Sequence, residues 1–156
     1  MASPRDNQVD RGQEVSEQDL EKVRELIGDS RLMAIDYHEV SAKRLSPESV
    51  QQGDEGNFEI EVQTRFGEGS FGVRLNGTLA FSGGEAVASV AGEYELLNDA
   101  KPSMRTVQIF ANEVGVMTVY PYLRESIGNA TAKVFGEPVL LPIVDRGQIS
   151  VSLDDE

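Results

Sequence analysis

Between Gly115 and Asp145 the chain reads GVMTVYPYLRESIGNATAKVFGEPVLLPIVD, and this stretch constrains the fold more than any other. Val116, Val119, Leu123, Ile127, Ala130 and Val134 recur at steps of three and four residues, which places them on one stripe of an α-helix. Arg124, Glu125, Asn129 and Lys133 fall on the opposite side. Gly136 stands where a left-handed residue ends a helix, and Pro138 forbids continuation. Pro121 removes one backbone hydrogen bond early in the helix and is expected to bend its axis. Farther along, Gly128, Ala130 and Ala132 are small enough for a second helix to approach closely. No other long helix is legible, so the stripe of Val116, Leu123, Ile127, Ala130 and Val134 is expected at a subunit interface of a homo-oligomer.

Residues 1–15 are polar and without period, as expected of a disordered leader. Ser16, with Asp19 three residues on, reads as a helix start; Leu20, Val23, Leu26 and Ile27 supply a short apolar face and Gly28 ends it. From Arg31 the pattern changes to period two, with Met33, Ile35 and Tyr37 on one face and Asp36 and His38 on the other. Leu45 to Gly56 reads as a loop. Phe58, Ile60, Val62, Thr64 and Phe66 then alternate with Glu59, Glu61, Gln63 and Arg65. A third strand carries Phe71, Val73, Leu75, Leu79 and Phe81, and a fourth sets Val90, Tyr94 and Leu96 against Glu93 and Glu95.

Consecutive strands with glycine turns predict an antiparallel sheet with one wet, acidic face. Ser103 caps a short helical piece containing Val107, Ile109 and Phe110, and Gly115 is expected to break it from the long helix. Strands followed by helices give an α+β fold: a four-stranded antiparallel sheet with a long C-terminal helix, which lies on the apolar face of the sheet or, as its seam favours, in a subunit interface. One domain is expected over residues 16–145, with 146–156 as a short acidic tail.

Lysine and arginine number 14 against 27 acids, a net charge of −13. Such a chain repels nucleic-acid phosphates and anionic lipid, so neither is an expected partner; basic segments of other proteins are. The lack of cysteine excludes thiolate catalysis, disulfides and cysteine-ligated zinc. No apolar run approaches a membrane span and MASPRDNQVDRGQ lacks the apolar core of a secretory signal, so a cytoplasmic location is expected.

Gly67 to Gly72 spell G-x-G-x-x-G, but a strand follows where a dinucleotide site needs a helix, and no further kinase motif appears. The glycines read as a hairpin turn. His38 is the single histidine, without partners for a triad or a metal cluster. Glu59 and Glu61 stand among aligned charges on a wet face, not in the apolar pocket that carboxylate acid–base chemistry requires. No enzyme signature emerges, and neither a cofactor nor a metal is expected.

Two features remain. Asp36, Glu59, Glu61, Glu93 and Glu95 form either a solvated face or a docking surface for a basic partner. The run Val139 to Val144 is too apolar for a free tail, and either covers the domain's own core or walls a groove for extended peptides. In such a groove Phe110, Tyr120, Tyr122, Leu140, Leu141 and Ile143 would supply stacking and burial without side-chain selectivity. The rival classes are a small-molecule-binding α+β domain with an enclosed cavity and a structural adaptor for one folded partner.

Pro121-Tyr122-Leu123-Arg124-Glu125 opening a long helix, followed by Gly136-Glu137-Pro138-Val139-Leu140-Leu141-Pro142-Ile143, resembles the C-terminal half of the SecB export-chaperone family. The resemblance covers the last third closely and the strands by pattern. It implies an ATP-independent chaperone, a dimer of dimers, that holds non-native preproteins and delivers them to the SecA translocation motor. Within it the sheets of two subunits pair, the long helices pack between dimers, and the acidic face, with Asp36 as the matching position, docks SecA. By motif position Pro121, Tyr122, Arg124 and Glu125 carry over to the helix start, and Leu141, Pro142 and Ile143 to the segment after it. Two departures stand out, the added helix Glu17–Ile27 and the missing second C-terminal helix, and the added helix is more similar to SecB-like chaperones dedicated to an antitoxin of a toxin–antitoxin system.

Overall fold

The computed structural model describes residues 13–45 and 56–155. Residues 1–12 of the expected leader and residues 46–55 of the expected loop lie outside the described residues. Helix α1 (Glu17–Gly28) precedes strands β1 (Ser30–Arg44), β2 (Asn57–Gly67), β3 (Ser70–Phe81) and β4 (Gly84–Leu96). Helix α2 (Met104–Phe110) and helix α3 (Val116–Phe135) follow, joined by the π-helical turn Ala111–Gly115.

All four strands are antiparallel, in the order β1-β4-β3-β2. The two-residue turns Glu68-Gly69 and Ser82-Gly83 make a meander of β2, β3 and β4. β1 pairs with β4 instead of its sequence neighbour β2. The connection from Leu45 to Gly56 permits this, because it is long enough to bridge three inter-strand spacings, about 14 Å. The pairing of β1 slips between Leu32 and Ala34 and again between Tyr37 and Glu39, so Met33 and His38 are bulge residues. Each bulge resets the alternation. Leu32, Ile35, Tyr37, Val40 and Ala42 end up opposite the inward-facing β4 positions, and Met33 leaves the face expected for it.

The core lies between this sheet and the helices. Phe71 stacks on Tyr94 at 4.9 Å, and Phe110 stands edge-on to both at 5.2 and 5.1 Å. α3 crosses β1, β4 and β3 and buries Val116, Val119, Leu123 and Ile127 against them. The stripe expected between subunits is therefore consumed, over Val116, Leu123 and Ile127, by the chain's own sheet. Glycines on the strands explain why. Val119 rests over Gly92, Leu123 over Gly77 and Phe135 over Gly84, where an added methyl would stand 2.5 Å from the Phe135 ring. Each aliphatic so buried stabilises the fold by roughly 1.5–3 kcal/mol.

Gly115, expected as a break, lies inside a continuous helical run from Met104 to Phe135. A Cβ there would stand 2.8 Å from Val73 Cγ2, so the glycine serves close helix–sheet approach. Gly136, at φ 86°, ends α3 as the left-handed residue that the sequence predicts.

α1 begins in a capping box: Ser16 Oγ accepts from the Asp19 N–H at 3.1 Å and Asp19 Oδ2 accepts from the Ser16 N–H at 3.0 Å. Asp19 also pairs with Arg105 on α2 at 3.1 Å, both residues being 8% exposed. The Arg105 hydrogen bond, helped by the Ser16 N–H, holds the Asp19 carboxyl below its usual range against the opposing effect of burial.

The short acidic tail packs on the domain through its apolar residues. Ile149 and Val151 pack on the core cluster and Leu153 is buried, while Ser150, Ser152 and Asp154 face out.

Candidate peptide-binding site

Beyond Gly136 the chain doubles back along α3, and three side chains of that helix fix its course. Thr131 Oγ1 donates to the Ile127 carbonyl at 2.7 Å and accepts the Val139 N–H at 2.8 Å. Arg124 Nε donates to the Leu141 carbonyl at 2.8 Å, and the Tyr120 hydroxyl donates to the Pro142 carbonyl. Residues 131, 124 and 120 lie along one side of a helix of 3.6 residues per turn, so the segment runs antiparallel to it. Leu141 is buried beneath as an anchor. On either side of it the segment stays open to solvent: Leu140 is 65% and Ile143 86% exposed.

Between α3 and this segment lies an open groove of about 610 Å³, lined by Met117, Tyr120, Pro121, Gly128, Leu140 and Ile143 among others. Arg124 and Glu125 at its edge are of opposite sign. Burial pushes the Tyr120 phenol up, against the pull of the Arg124 charge, so it stays a neutral donor committed to Pro142. The surface is apolar, open along its length and without convergent acid–base groups. It suits an extended chain bound by its aliphatic and aromatic side chains.

Of the expected client-binding residues, Tyr120, Leu140, Leu141 and Ile143 meet here, Tyr120 and Leu141 as buried supports. Phe110 does not: at 2% exposed it belongs to the aromatic core with Phe71 and Tyr94. Tyr122, two residues after Tyr120, turns to the other flank of α3. There the Tyr37 phenol is pushed up by its own burial, then by the Glu125 charge and by Tyr122. Ala130 and Val134 stay on this second flank, where a shallow depression of about 460 Å³ separates them from Tyr37 and Val40 of edge strand β1. Leu32, Met33, Tyr37 and Val40 are all exposed along that strand.

The expected acidic face is a mixed one. Asp36, Glu59 and Glu61 are exposed on the outer side of the sheet. Glu93, however, pairs with Arg65, and Glu95 with Arg31. Gly72 lies between Arg65 and Glu93 in register and has no side chain to separate them. Lys43 pairs with Glu85 at 3.0 Å on the same side.

Sequence periodicity missed Arg124, Thr131 and Met117 as parts of the groove. Arg124 reads as a solvated polar-face residue, and Thr131 as a helix residue with no assigned face. Only the Pro138 and Pro142 pair hinted that an extended segment would need fixing from outside.

No helix among the described residues is long and apolar enough to cross a membrane. No family model matches the chain. The SecB-like chaperone SmegB of Mycolicibacterium smegmatis is 31% identical over 133 residues, spanning 85% of this chain and 88% of that protein. The Rv1957 SecB-like chaperone of Mycobacterium tuberculosis, solved in complex with a ChAD peptide from the Rv1956 HigA1 antitoxin, has the same fold, with a TM-score of 0.68 at 19% identity. That match covers 81% of this chain and 98% of the solved one. Sequence identity over most of both lengths, on a shared sheet with one long helix, places this chain in the SecB-like chaperone family.

Proposed function

We propose that the chain is an ATP-independent holding chaperone whose clients lie extended in the groove between α3 and residues 138–144. One observation carries the reading: Leu140 and Ile143 are exposed on a segment that Thr131, Arg124 and Tyr120 pin in place, leaving an apolar wall without a covering element among the described residues. Pinning matters because a pre-ordered wall spends less of its binding free energy on its own ordering.

The partner favoured is an antitoxin of a toxin–antitoxin system. In support, α1 and its capping box are present, and the solved neighbour carries an antitoxin peptide. Delivery of preproteins to SecA is the second reading, resting on Asp36, Glu59 and Glu61 alone, since Glu93 and Glu95 have cationic partners.

A homo-oligomer, a dimer of dimers, would cover the flank of Leu32, Tyr37, Val40, Ala130 and Val134 beside the open edge of β1, where a second chain can add strand and helix together. The function is tested by diluting a chemically unfolded protein into buffer with the chain and no nucleotide. Equimolar protein is expected to slow aggregation, and unchanged light scattering at several-fold excess contradicts the proposal.

A further inference from the structure

The docked tail points to a second peptide site. Residues 150–154, which follow a bend at Ile149, belong to no helix or strand, yet burial alternates through them as in a strand, with Ile149, Val151 and Leu153 turned in and Ser150, Ser152 and Asp154 turned out. Their backbone partners are side chains. Asn112 accepts the Val151 N–H at 2.7 Å and donates to the Val151 carbonyl at 3.0 Å. Gln13 does the same for Leu153, accepting its N–H and donating to its carbonyl, both at 3.1 Å. Gln108 accepts the Asp154 N–H at 2.7 Å and Arg105 donates to the Asp154 carbonyl at 2.9 Å.

A carboxamide carries the donor and acceptor of a peptide group, so Asn112 and Gln13 offer the edge of a neighbouring strand without being one. Contacts to main-chain atoms are indifferent to sequence. The trough beneath asks only for aliphatic side chains at every second position. The residues that do this come from two places, α2 with its π-helical turn and the residues ahead of α1, and Arg105 braces both through Asp19 and the Glu14 carbonyl at 2.9 Å.

We infer that this trough is a site for an extended polypeptide with alternating aliphatic residues, filled in the resting chain by its own residues 149–154 and opened when a client segment displaces them. The inference rests on the reading of the chain as a holder of non-native segments, and adds a site remote in sequence from the groove at Leu140 and Ile143. A tethered tail competes at an effective concentration of about a millimolar, so it screens out weak ligands and yields to long, multiply attached ones.

The test uses a variant ending at Asp145 and a fluorescent peptide of residues 147–155. The peptide should bind the shortened chain one to one, and the full chain at least tenfold more weakly. Methylating the peptide nitrogens at the Val151 and Leu153 positions should abolish binding, whereas alanine at the Ser150 and Ser152 positions should leave it intact. Equal binding of the methylated peptide, or none by a folded shortened chain, overturns the inference. If the shortened chain does not fold, hydrogen exchange on the full chain decides. A reduced, carboxymethylated protein held by the chaperone should speed exchange of the Val151 and Leu153 amides severalfold, and unchanged rates overturn the displacement. A full chain that holds no client in the aggregation assay sinks the chaperone reading instead, and leaves the peptide-binding arm to judge the trough.

Discussion

Arg105 on α2 and Asp19 in the first turn of α1 form a buried ion pair at 3.1 Å, which ties the N-terminal helix to α2 beside the apolar packing of Val23 and Leu26. Asp19 is also the N3 residue of the capping box, so its charge serves both the pair and the helix start.

Acid should release it. The carboxyl is held below its value in the unfolded chain, chiefly by the Arg105 hydrogen bond. A depressed folded-state value means that the stabilisation is present above the unfolded value and is lost as pH falls from there through the folded one. Asp19→Asn should flatten the acid limb of a stability–pH curve, and Asp19→Ala should cost about 3 kcal/mol by leaving the buried Arg105 charge with carbonyl partners but without this carboxylate. An acid limb unchanged in Asp19→Asn contradicts this assignment.

Ile127→Glu separates the two places that the long helix stripe could have been buried. Ile127 is 0% exposed within one chain, so an unpaired carboxylate there costs on the order of several kcal/mol, a large share of the 5–15 kcal/mol typical of a domain. Loss of the folded circular dichroism signal is expected, not a clean split into folded dimers. Val134→Glu, on the open flank, should keep the fold and lower the sedimentation mass. A folded, fully assembled Ile127→Glu protein contradicts this packing.

Most of this architecture was legible in the sequence. Period two gave four strands, period 3.6 gave α3, and Ser16, Ser103 and Gly136 marked helix ends that the structure keeps. What stayed hidden depended on register. No local signal says that β1 crosses to β4, that Met33 and His38 are bulged out, or that Gly77, Gly84 and Gly92 line up beneath α3. The stripe of Val116, Leu123 and Ile127 reads as buried, and of its two candidate partners the subunit interface looks stronger than the sheet, because a glycine-paved sheet is visible only once strands are paired. The groove was half legible: its exposed aliphatics announced themselves, whereas Arg124 and Thr131 look like ordinary helix-surface residues until the returning segment meets them. Asn112, Gln108 and Gln13 carry no pattern at all.

Charge reversal on the outer face tests the docking of a basic partner. Glu59→Lys with Glu61→Lys should weaken that binding and flatten its salt dependence, because exposed charges act over only about 10 Å at ordinary ionic strength. Client holding should be unaffected. The change should be smaller than a uniformly acidic face would give, since Arg31, Lys43 and Arg65 already offset Glu95, Glu85 and Glu93. Affinity that does not move, measured by titration at two salt concentrations, returns this face to solvation alone.

The groove itself is tested most directly by Leu140→Glu combined with Ile143→Glu. Both side chains project into solvent, so the pair should fold with an unchanged melting curve, to within about 0.5 kcal/mol of the parent. Carboxylates on the wall of an apolar groove must be desolvated by any bound aliphatic segment, which costs a few kcal/mol and at least tenfold in affinity. In the nucleotide-free aggregation assay, the folded double variant is predicted to need at least ten times the parent's concentration for the same suppression. A double variant that is folded and suppresses aggregation as well as its parent contradicts the account.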